Sequence, residues 1–525
     1  RLQLKAFLIP LLLRMPVKFM RFHHPPEKKA IEIDTNYTWH GLLTGEATKV
    51  SPSLETLNLP SIAPLGCFHD APLRGDLLNI VKQSLIEVEL SEKERADCFD
   101  SSVHLIWVAE VIHMAGYYIY CRWLGAPLSD TFWVHGGSRQ VHPCGFACAD
   151  ARVNEGYLLY PPRQYLSLRN EAAWADYILN RVYRRLTLPE SFEESRVQIH
   201  KSKYRINDRV EIVHDEESTC VIPAVVTATR GRRIRFRVSK SDVDKEDFYD
   251  KDLWRDQADD FVYYVGFAAE NGFDIKCNNK YREHTSNIVK ALNTGTKPPF
   301  SSHDVTREKL SEWRRGQGKH KEPTPNLWEK GMILEIMDRL DTTLYGLKPA
   351  RVLAVFKHGY LRVGPEGSDI EEDSFAVHMS SPMLFPYGYA EKHGIKLLTP
   401  KNDDEFNWKT FMKKTGFKPA PESLFHDYDK GNIPFRVGMK MEAVDQVEKL
   451  ICPVTIDSIK GRMLHIKFDG WDQSYDQLYD FRSPDLLPVG WCEMYGYALQ
   501  APQQTIVPDQ GSEALEEPPS KKSKK

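Results

Sequence analysis

Residues 435–493 carry both the repeating fold pattern and the candidate site, and they read FRVGMKMEAVDQVEKLICPVTIDSIKGRMLHIKFDGWDQSYDQLYDFRSPDLLPVGWCE. Three aromatic residues, Phe468, Trp471 and Tyr475, fall within eight positions of one another. Aromatic faces attract cations, and a carboxylate such as that of Asp445 adds full negative charge, so this combination is suited to a methylated ammonium. The same rings are equally consistent with a packed core, because aromatic residues dominate cores.

A small-residue turn recurs along the chain and divides it into four units. The turn segments are HPCGFACA from His142, YYVGFAAENG from Tyr263, FPYGYAEKHG from Phe385 and LPVGWCEMYG from Leu487. Their glycines lie about 100 to 120 residues apart, a spacing that indicates domain-sized units rather than short helical repeats.

Other elements recur in the same order around each turn. Helix-like openings with aromatic residues begin at Tyr37, Ala172 and Phe406. Strand-like openings then follow at Ser84, Asn207, Glu329 and Arg436. Short runs rich in valine, isoleucine and aromatic residues come next and predict the strands of a small barrel or twisted sheet. Each unit is therefore predicted to be a helical arm followed by a compact β core.

Composition excludes several classes of protein. The 525 residues have a formal net charge of −3, without the basic excess typical of nucleic-acid-coating proteins. Nine cysteines, an odd number, indicate reduced thiols rather than a disulfide framework. His142, Cys144 and Cys148 lack a fourth ligand at zinc spacing. There is no phosphate loop, nucleophile elbow or HExxH motif, so we expect neither an enzyme nor a bound cofactor or metal.

The two ends of the chain are predicted to lie outside the folded units. Residues 1–33 are expected to be disordered or spurious, and their apolar run at 6–13 is too short to span a bilayer. No other segment predicts a membrane crossing. Residues 506–525 have few apolar residues and are expected to be disordered. The tail ends in a lysine cluster that is either a nuclear import signal or a solvated end.

The segments GMKMEAVD, HIKFDGWDQSYDQLYD and SPDLLPVGWCE resemble a malignant brain tumor (MBT) repeat, and the other three units resemble divergent copies. The chain as a whole is similar to four-repeat chromatin proteins of the synthetic multivulva repressor class. The resemblance implies a mainly β fold with helical arms, in which each repeat is an N-terminal arm plus a Tudor-like β-barrel core. The implied repeats are residues 34–165, 166–296, 297–400 and 401–505.

The resemblance also implies a function. Proteins of this family read mono-, di- or sometimes trimethylated lysine on histone tails, act in transcriptional repression in the nucleus, and catalyse nothing. The implied partners are methylated histone tails and repressor-complex proteins. Carried over to this sequence, the methyl-lysine-binding residues are Asp445, Glu448, Cys452, Phe468, Trp471 and Tyr475. Glu448 departs from the family, which often has asparagine there, and the departure leaves the preferred methylation state open.

The other three units lack the complete set. The first offers Trp123 alone, the second keeps Phe236 with Phe248 and Tyr249 as weak substitutes, and the third keeps only the acid, Asp338. We therefore expect the first and third units to be structural. For the second, binding through another surface stays open.

The alternative hypothesis is a multi-module scaffold for proteins or nucleic acid with a vestigial cage. Its main support is the basic segment 228–237, whose five arginines would make weak phosphate contacts under this hypothesis. The favoured interpretation of these arginines is a solvated strand edge that blunts unwanted pairing.

Overall fold

The structure is a computed structural model that describes residues 37–39, 43, 61–182, 185–214, 217–315, 327–367, 369–400, 406–425 and 432–502. The predicted disordered ends, residues 1–33 and 506–525, lie outside these residues. The same holds for most of the helix-like opening that follows Tyr37.

The strands form four sheets, one in each unit. The first contains β1 (Leu85–Glu89), β2 (His104–Ala115), β3 (Tyr118–Trp123), β4 (Thr131–His135), β5 (Val141–His142) and β6 (Tyr157–Leu159). The second contains β7 (Arg209–Val213), β8 (Cys220–Arg230), β9 (Arg233–Val238), β10 (Leu253–Asp256), β11 (Val262–Tyr263) and β12 (Asp274–Ile275). The third contains β13 (Ile333–Ile336), β14 (Gly346–Val355), β15 (Tyr360–Pro365), β16 (Phe375–His378), β17 (Leu384–Phe385) and β18 (Lys396–Leu397). The fourth contains β19 (Lys440–Val444), β20 (Ile451–Lys460), β21 (Met463–Phe468), β22 (Gln477–Asp480) and β23 (Leu486–Leu487).

Helices lie between and after the strands. They are α1 (Arg74–Leu77), α2 (Asp150–Asn154), α3 (Glu171–Val182), α4 (Phe192–Gln198), α5 (Phe267–Asn271), α6 (Asn279–Thr294), α7 (Arg307–Arg315), α8 (Tyr389–His393), α9 (Trp408–Thr415) and α10 (Trp491–Tyr495). None of the helices in the described part of the chain combines the length and apolar character that a bilayer crossing requires.

The four sheets share one topology. The first four strands of each sheet pair antiparallel with their neighbours in chain order. A short fifth strand pairs with the free side of the first, as in the order β22-β21-β20-β19-β23. The long second strand of each sheet carries a register shift against the third, for example between Ile456 and Ser458 in β20. Such a bulge bends the strand and increases its twist, so each sheet curls into a half-barrel. The predicted mainly β fold with helical arms is confirmed.

A buried glutamate on the first strand anchors each of the four turns that the sequence singled out. In the fourth sheet, the Glu442 carboxylate accepts hydrogen bonds from the backbone N–H groups of Gly490 (2.7 Å) and Cys492 (2.9 Å), which open helix α10. Gly490 has a φ of 92°, a conformation that favours glycine. The corresponding glutamates are Glu87, Glu211 and Glu335. A carboxylate at the start of a helix satisfies backbone donors that have no partner inside the helix.

The segment that leads into each repeat packs on the sheet of a neighbouring repeat. The segments that lead into the second, third and fourth repeats contain Leu186, His303 and Lys418. Their backbone carbonyls accept hydrogen bonds from the N–H groups of Leu85, Arg209 and Ile333, which belong to the first strand of the preceding sheet. The segment before the first sheet closes the series, because the Ala63 N–H donates to the Lys440 carbonyl of the fourth repeat (2.9 Å). The repeats therefore form a closed ring. Buried clusters also cross repeat boundaries, one joining the second and third repeats and another the first and fourth.

The favoured interpretation of the basic segment 228–237 is wrong. Strand β9 lies between β8 and β10 and is not an edge. Arg233 is only 3% exposed and pairs with Asp485 of the fourth repeat (3.1 Å), while Arg232 binds Asp256 through two nitrogens. Arg233 thus links the second repeat to the fourth, and Arg232 is paired with an acid of its own repeat. Asp485 is remote in sequence, so the segment taken alone looked like a solvated edge.

Candidate functional site

The six candidate residues come from three parts of the fourth sheet. Asp445 directly follows β19, and Glu448 lies in the loop that leads to β20. Cys452 lies near the start of β20 and pairs with Ala443 of β19. Phe468 ends β21, after which a turn brings Trp471 and Tyr475 back toward the strand ends.

The aromatic cage, defined as Phe468, Trp471 and Tyr475, is a contiguous group of rings with Trp471 in the middle. The ring centroids of Phe468 and Trp471 are 5.9 Å apart at 45°, and those of Trp471 and Tyr475 are 5.0 Å apart at 83°. The tryptophan and tyrosine faces therefore form a corner. Phe468 is fully buried, Trp471 is 6% exposed and Tyr475 is half-buried, so the tyrosine forms the outer rim.

Asp445 is fully buried, and its two carboxylate oxygens have different surroundings. Oδ1 accepts three hydrogen bonds, from Gln477 Nε2 (2.8 Å) and from the backbone N–H groups of Val447 (2.8 Å) and Glu448 (3.1 Å). Oδ2 is equally inaccessible and has no hydrogen-bond partner among the described residues. Burial raises the pKa of this carboxyl, although the three donors oppose the shift. A buried acceptor without a donor is costly, so Oδ2 is a place where a ligand N–H would be stabilised.

Glu448 and Cys452 complete the surroundings of the cage. The Tyr475 pKa is raised by burial and then by the charges of Glu448 and Asp445, so both carboxylates lie close enough to act on the tyrosine. Burial, followed by the charge of Asp445, raises the pKa of the Cys452 thiol, which is therefore a neutral and largely apolar wall. The structure thus brings all six candidate residues into one neighbourhood.

Strand register identifies the matching positions in the other repeats. Positions in the four sheets are aligned on each buried glutamate and on the residue that pairs with it, which are Glu442 and Pro453 in the fourth sheet. The matching residues are Leu90, His214 and Asp338 for Asp445, and Trp123, Val238 and Pro365 for Phe468. The expectation that Phe236 keeps the cage position in the second repeat is wrong. Phe236 lies two residues earlier in β9, fully buried and packed edge-on against Tyr204.

In the third repeat the matching acid is already occupied by an ammonium group of the chain itself. Lys348 stands at the position of Cys452, and its Nζ lies 2.8 Å from Asp338 Oδ2. In the first repeat, Phe132 stacks on Trp123 at 4.3 Å, and the place of the acid is taken by Leu90.

The second repeat offers aromatic residues without an acid at the matching position. His214 holds the place of Asp445, and Tyr249 packs edge-on against it at 5.7 Å. Phe248 and Tyr249 are only partly exposed and pack against the buried cluster that joins the second and third repeats. They therefore do not reproduce the arrangement of the fourth repeat.

Two residues that we did not single out in the sequence also belong to the site. Gln477 and Tyr479 of β22 are buried polar residues, and Gln477 is bonded to Asp445. Their signal in the sequence is weak, because QLYD reads as an ordinary strand with alternating polar residues.

A cavity of about 640 Å³ lies where the repeats meet, and it is lined by Tyr479 but by none of the three cage rings. Charged side chains that line it are paired across repeats, as where Arg339 Nη2 contacts Asp485 (3.0 Å) and Asp259 (3.4 Å). No group of three or more potential metal ligands occurs in the described ranges. His142, considered above as a ligand, contacts Glu193 through Nδ1 (2.8 Å).

Comparison with known proteins agrees with this architecture. The chain is 29% identical to the protein lin-61 of Caenorhabditis elegans, over 93% of this chain and 79% of that protein. It is 30% identical to the human MBT domain-containing protein 1, over 84% of this chain and 65% of that protein. The crystal structure of the four MBT repeats of Drosophila melanogaster Sfmbt, in complex with the peptide RHR(me)KVLR, superposes with a TM-score of 0.70 at 27% identity. That superposition covers 86% of this chain and 97% of the Sfmbt chain.

The family model for the MBT repeat matches the chain four times, at residues 96–166, 208–282, 332–404 and 439–506. The last three matches each contain a whole curled sheet, and the first contains β2 to β6 of the first sheet but begins after β1. The module is a non-catalytic one, in agreement with the sequence-based expectation that the chain is not an enzyme. The chain belongs to the MBT repeat family.

Proposed function

We propose that this protein is a non-enzymatic chromatin reader that binds methylated lysine on histone tails through the fourth repeat and acts in transcriptional repression in the nucleus. The observation that carries the proposal is the buried Oδ2 of Asp445, which has no donor among the described residues, in a carboxylate whose charge acts on Tyr475 at the rim of the aromatic cage. The third repeat supplies an internal comparison, because there the matching Asp338 binds the chain's own Lys348 ammonium.

The geometry suits a methylated ammonium in two ways. The ring faces of Trp471 and Tyr475 attract the diffuse charge of the methyl groups, with a contribution of about 2 kcal/mol for a desolvated cation–π contact. Asp445 Oδ2 can accept a hydrogen bond from a mono- or dimethylated ammonium, whereas a trimethylated one has no N–H to donate. Glu448 adds negative charge near the rim.

The expected affinity is modest. One cage contributes a few kcal/mol, against which the loss of translational and rotational freedom must be set, so we expect micromolar to millimolar dissociation constants. Residence on chromatin would then require several simultaneous contacts or a repressor-complex partner.

The relatives support the same class of function. The solved structure of Sfmbt contains a methyl-lysine peptide, and Sfmbt is named a Polycomb protein. The repeat limits 34–165, 166–296, 297–400 and 401–505 remain our proposal for the domain boundaries.

The decisive experiment is a peptide titration with wild type and Trp471→Ala. The probe is RHRKVLR with its lysine carrying zero, one, two or three methyl groups. We expect a methylated form to bind more tightly than the unmodified peptide, and Trp471→Ala to weaken that binding at least about tenfold through loss of the central ring. Trp133→Ala, in β4 of the first sheet, is the matched control and should bind as wild type.

Unchanged binding by Trp471→Ala would remove the fourth repeat from the proposal. Salt-sensitive binding to nucleosomal DNA, without any preference for methylated peptide, would favour the scaffold alternative instead. The internal pairing of Arg232 and Arg233 argues against that alternative, because these groups are committed to carboxylates.

A further inference from the structure

We propose that Gln477 and Tyr479 are positioning residues that hold the Asp445 carboxylate in the orientation needed to accept a ligand N–H. This inference rests on the proposed methyl-lysine function and extends it to residues outside the aromatic cage.

The two side chains form a buried relay behind Asp445. Gln477 Nε2 donates to Asp445 Oδ1 (2.8 Å), and Gln477 Oε1 lies within hydrogen-bond distance of the Gln446 N–H (3.0 Å) and of the Tyr479 hydroxyl (2.8 Å). The hydroxyl also lies 2.7 Å from the Val444 carbonyl. Gln477 is 3% exposed and Tyr479 1% exposed, so water does not compete for these contacts.

The relay fixes which carboxylate oxygen is left for a ligand. The Gln446 N–H can only donate, so Gln477 must present Oε1 to it and its amide nitrogen to Asp445. The single proton of the Tyr479 hydroxyl is shared between Gln477 Oε1 and the Val444 carbonyl. The amide nitrogen and two backbone N–H groups occupy Oδ1, which leaves Oδ2 as the remaining acceptor. Loss of the amide would free the carboxylate to rotate and would remove one of the donors that keep it ionised.

The other repeats serve as internal controls. The positions that match Gln477 are occupied by Phe132, Leu253 and Phe375, and those that match Tyr479 by Val134, Arg255 and Val377. Among the four sheets, the glutamine and tyrosine occur together only in the fourth, where one oxygen of the acid has no partner in the described ranges. A purely structural role would not require this coincidence.

The third repeat supports the strand that carries the relay. Strand β22 is the edge of the fourth sheet, and the Leu478 N–H donates to the Leu344 carbonyl of the third repeat (2.8 Å). A free edge strand would otherwise have unpaired backbone groups. The closed ring thus helps to place Gln477 against Asp445.

The pH dependence of binding gives a readout specific to the relay. The titratable groups near Asp445 are Glu448, Lys449, Cys452, Tyr475 and Tyr479. The hydrogen bond from Gln477 lowers the pKa of Asp445 against the effect of burial. Without that bond, Asp445 would become protonated, and binding would be lost, at a higher pH than in wild type.

The test uses the full chain and RHRKVLR peptides with mono- or dimethylated lysine, titrated between pH 5 and pH 8. Gln477→Leu, which installs the residue found in the second repeat, should weaken binding about tenfold and move the pH midpoint upward. Tyr479→Phe should show the same changes to a smaller extent. Gln473→Leu, an exposed glutamine of the neighbouring turn, should bind as wild type.

Gln477→Glu keeps the size of the side chain while removing the donor and adding a like charge, and it should weaken binding more than leucine does. Thermal unfolding of each variant confirms that it is folded. Wild-type affinity and pH midpoint in Gln477→Glu and Tyr479→Phe would overturn the relay while the proposed function stands, provided that Trp471→Ala still loses binding. Binding that also survives Trp471→Ala would overturn the proposed function itself.

Discussion

At the scale of single residues, Asp445 combines an ionisable carboxylate with full burial. Its carboxylate is fully buried, with one oxygen saturated by three donors and the other without a partner in the described part of the chain. Asp338 shows what such an acid does when an ammonium is within reach, because Lys348 contacts it at 2.8 Å. The difference between these two acids separates one that an ammonium group of the chain neutralises from one whose buried oxygen has no donor among the described residues.

Replacement of Asp445 by asparagine should weaken binding according to the number of N–H groups on the ligand. The three donors around Oδ1 keep the new amide oxygen on their side, so the amide nitrogen would face the cation. A charge-assisted hydrogen bond contributes about 1.5–3 kcal/mol, so mono- and dimethylated peptides should lose about tenfold or more in affinity. Trimethylated peptide, which donates no N–H, should lose less. Equal losses for all methylation states, or a comparable loss in the exposed control Asp457→Asn, would contradict this role.

At the scale of secondary-structure elements, much of the fold could be predicted from local patterns. The short β-rich runs predicted for the fourth unit correspond to β20 and β21, and the turn glycines mark the helix starts that the buried glutamates anchor. The spacing of Phe468, Trp471 and Tyr475 correctly indicated rings that lie together.

The errors arose where the answer depends on remote partners or on register. Phe236 looked like a cage residue because an acidic insertion with two further aromatic residues follows it, but strand pairing puts Val238 at that position. Arg233 looked solvated, but its partner Asp485 comes from another repeat. Gln477 was overlooked because a strand pattern does not reveal which buried acid an amide contacts.

The glutamate anchor predicts a pH-dependent stability. Burial raises the pKa of Glu442 to about 8 and that of Glu211 to about 7, from an ordinary value of 4.5. A carboxyl that binds its proton more tightly when folded stabilises the protein fully below about pH 4.5 and loses that contribution as pH rises through the folded pKa. The urea concentration at the unfolding midpoint should therefore decrease as the pH is raised from 5 to 8.

Glu442→Gln isolates the contribution of this one group. The glutamine cannot ionise, and its amide nitrogen faces a backbone N–H, so the variant should be less stable at pH 5 by about 1–3 kcal/mol. The difference in unfolding free energy between the variant and wild type should decrease as pH rises, because only the wild type loses stability through this residue. A gap that stays constant or widens from pH 5 to pH 8 would show that the folded carboxyl is already ionised.

At the scale of the whole molecule, ring closure makes the repeats interdependent. The segment at Ala63 pairs with Lys440 of the last repeat, and buried clusters cross the repeat boundaries. The fourth sheet, which carries the candidate site, is therefore packed against repeats that lack a complete cage themselves. This arrangement accounts for a chain that keeps four modules although one carries the candidate site.

Asp485 is the residue through which this interdependence can be tested. Its buried carboxylate contacts Arg233 of the second repeat (3.1 Å) and Arg339 of the third (3.0 Å), so three repeats meet at one acid. Removal of one partner from a buried ion pair leaves uncompensated charge, and Asp485→Ala should destabilise the protein by about 3–5 kcal/mol. Asp250→Ala removes an acid that is 67% exposed and contacts Arg237, and it should cost less than about 1 kcal/mol.

If the repeats unfold as one unit, urea unfolding of Asp485→Ala will show a single transition at lower denaturant, and peptide binding will be lost in that same transition. A separate early transition that leaves peptide binding intact would instead mean that the fourth repeat holds its site without the ring.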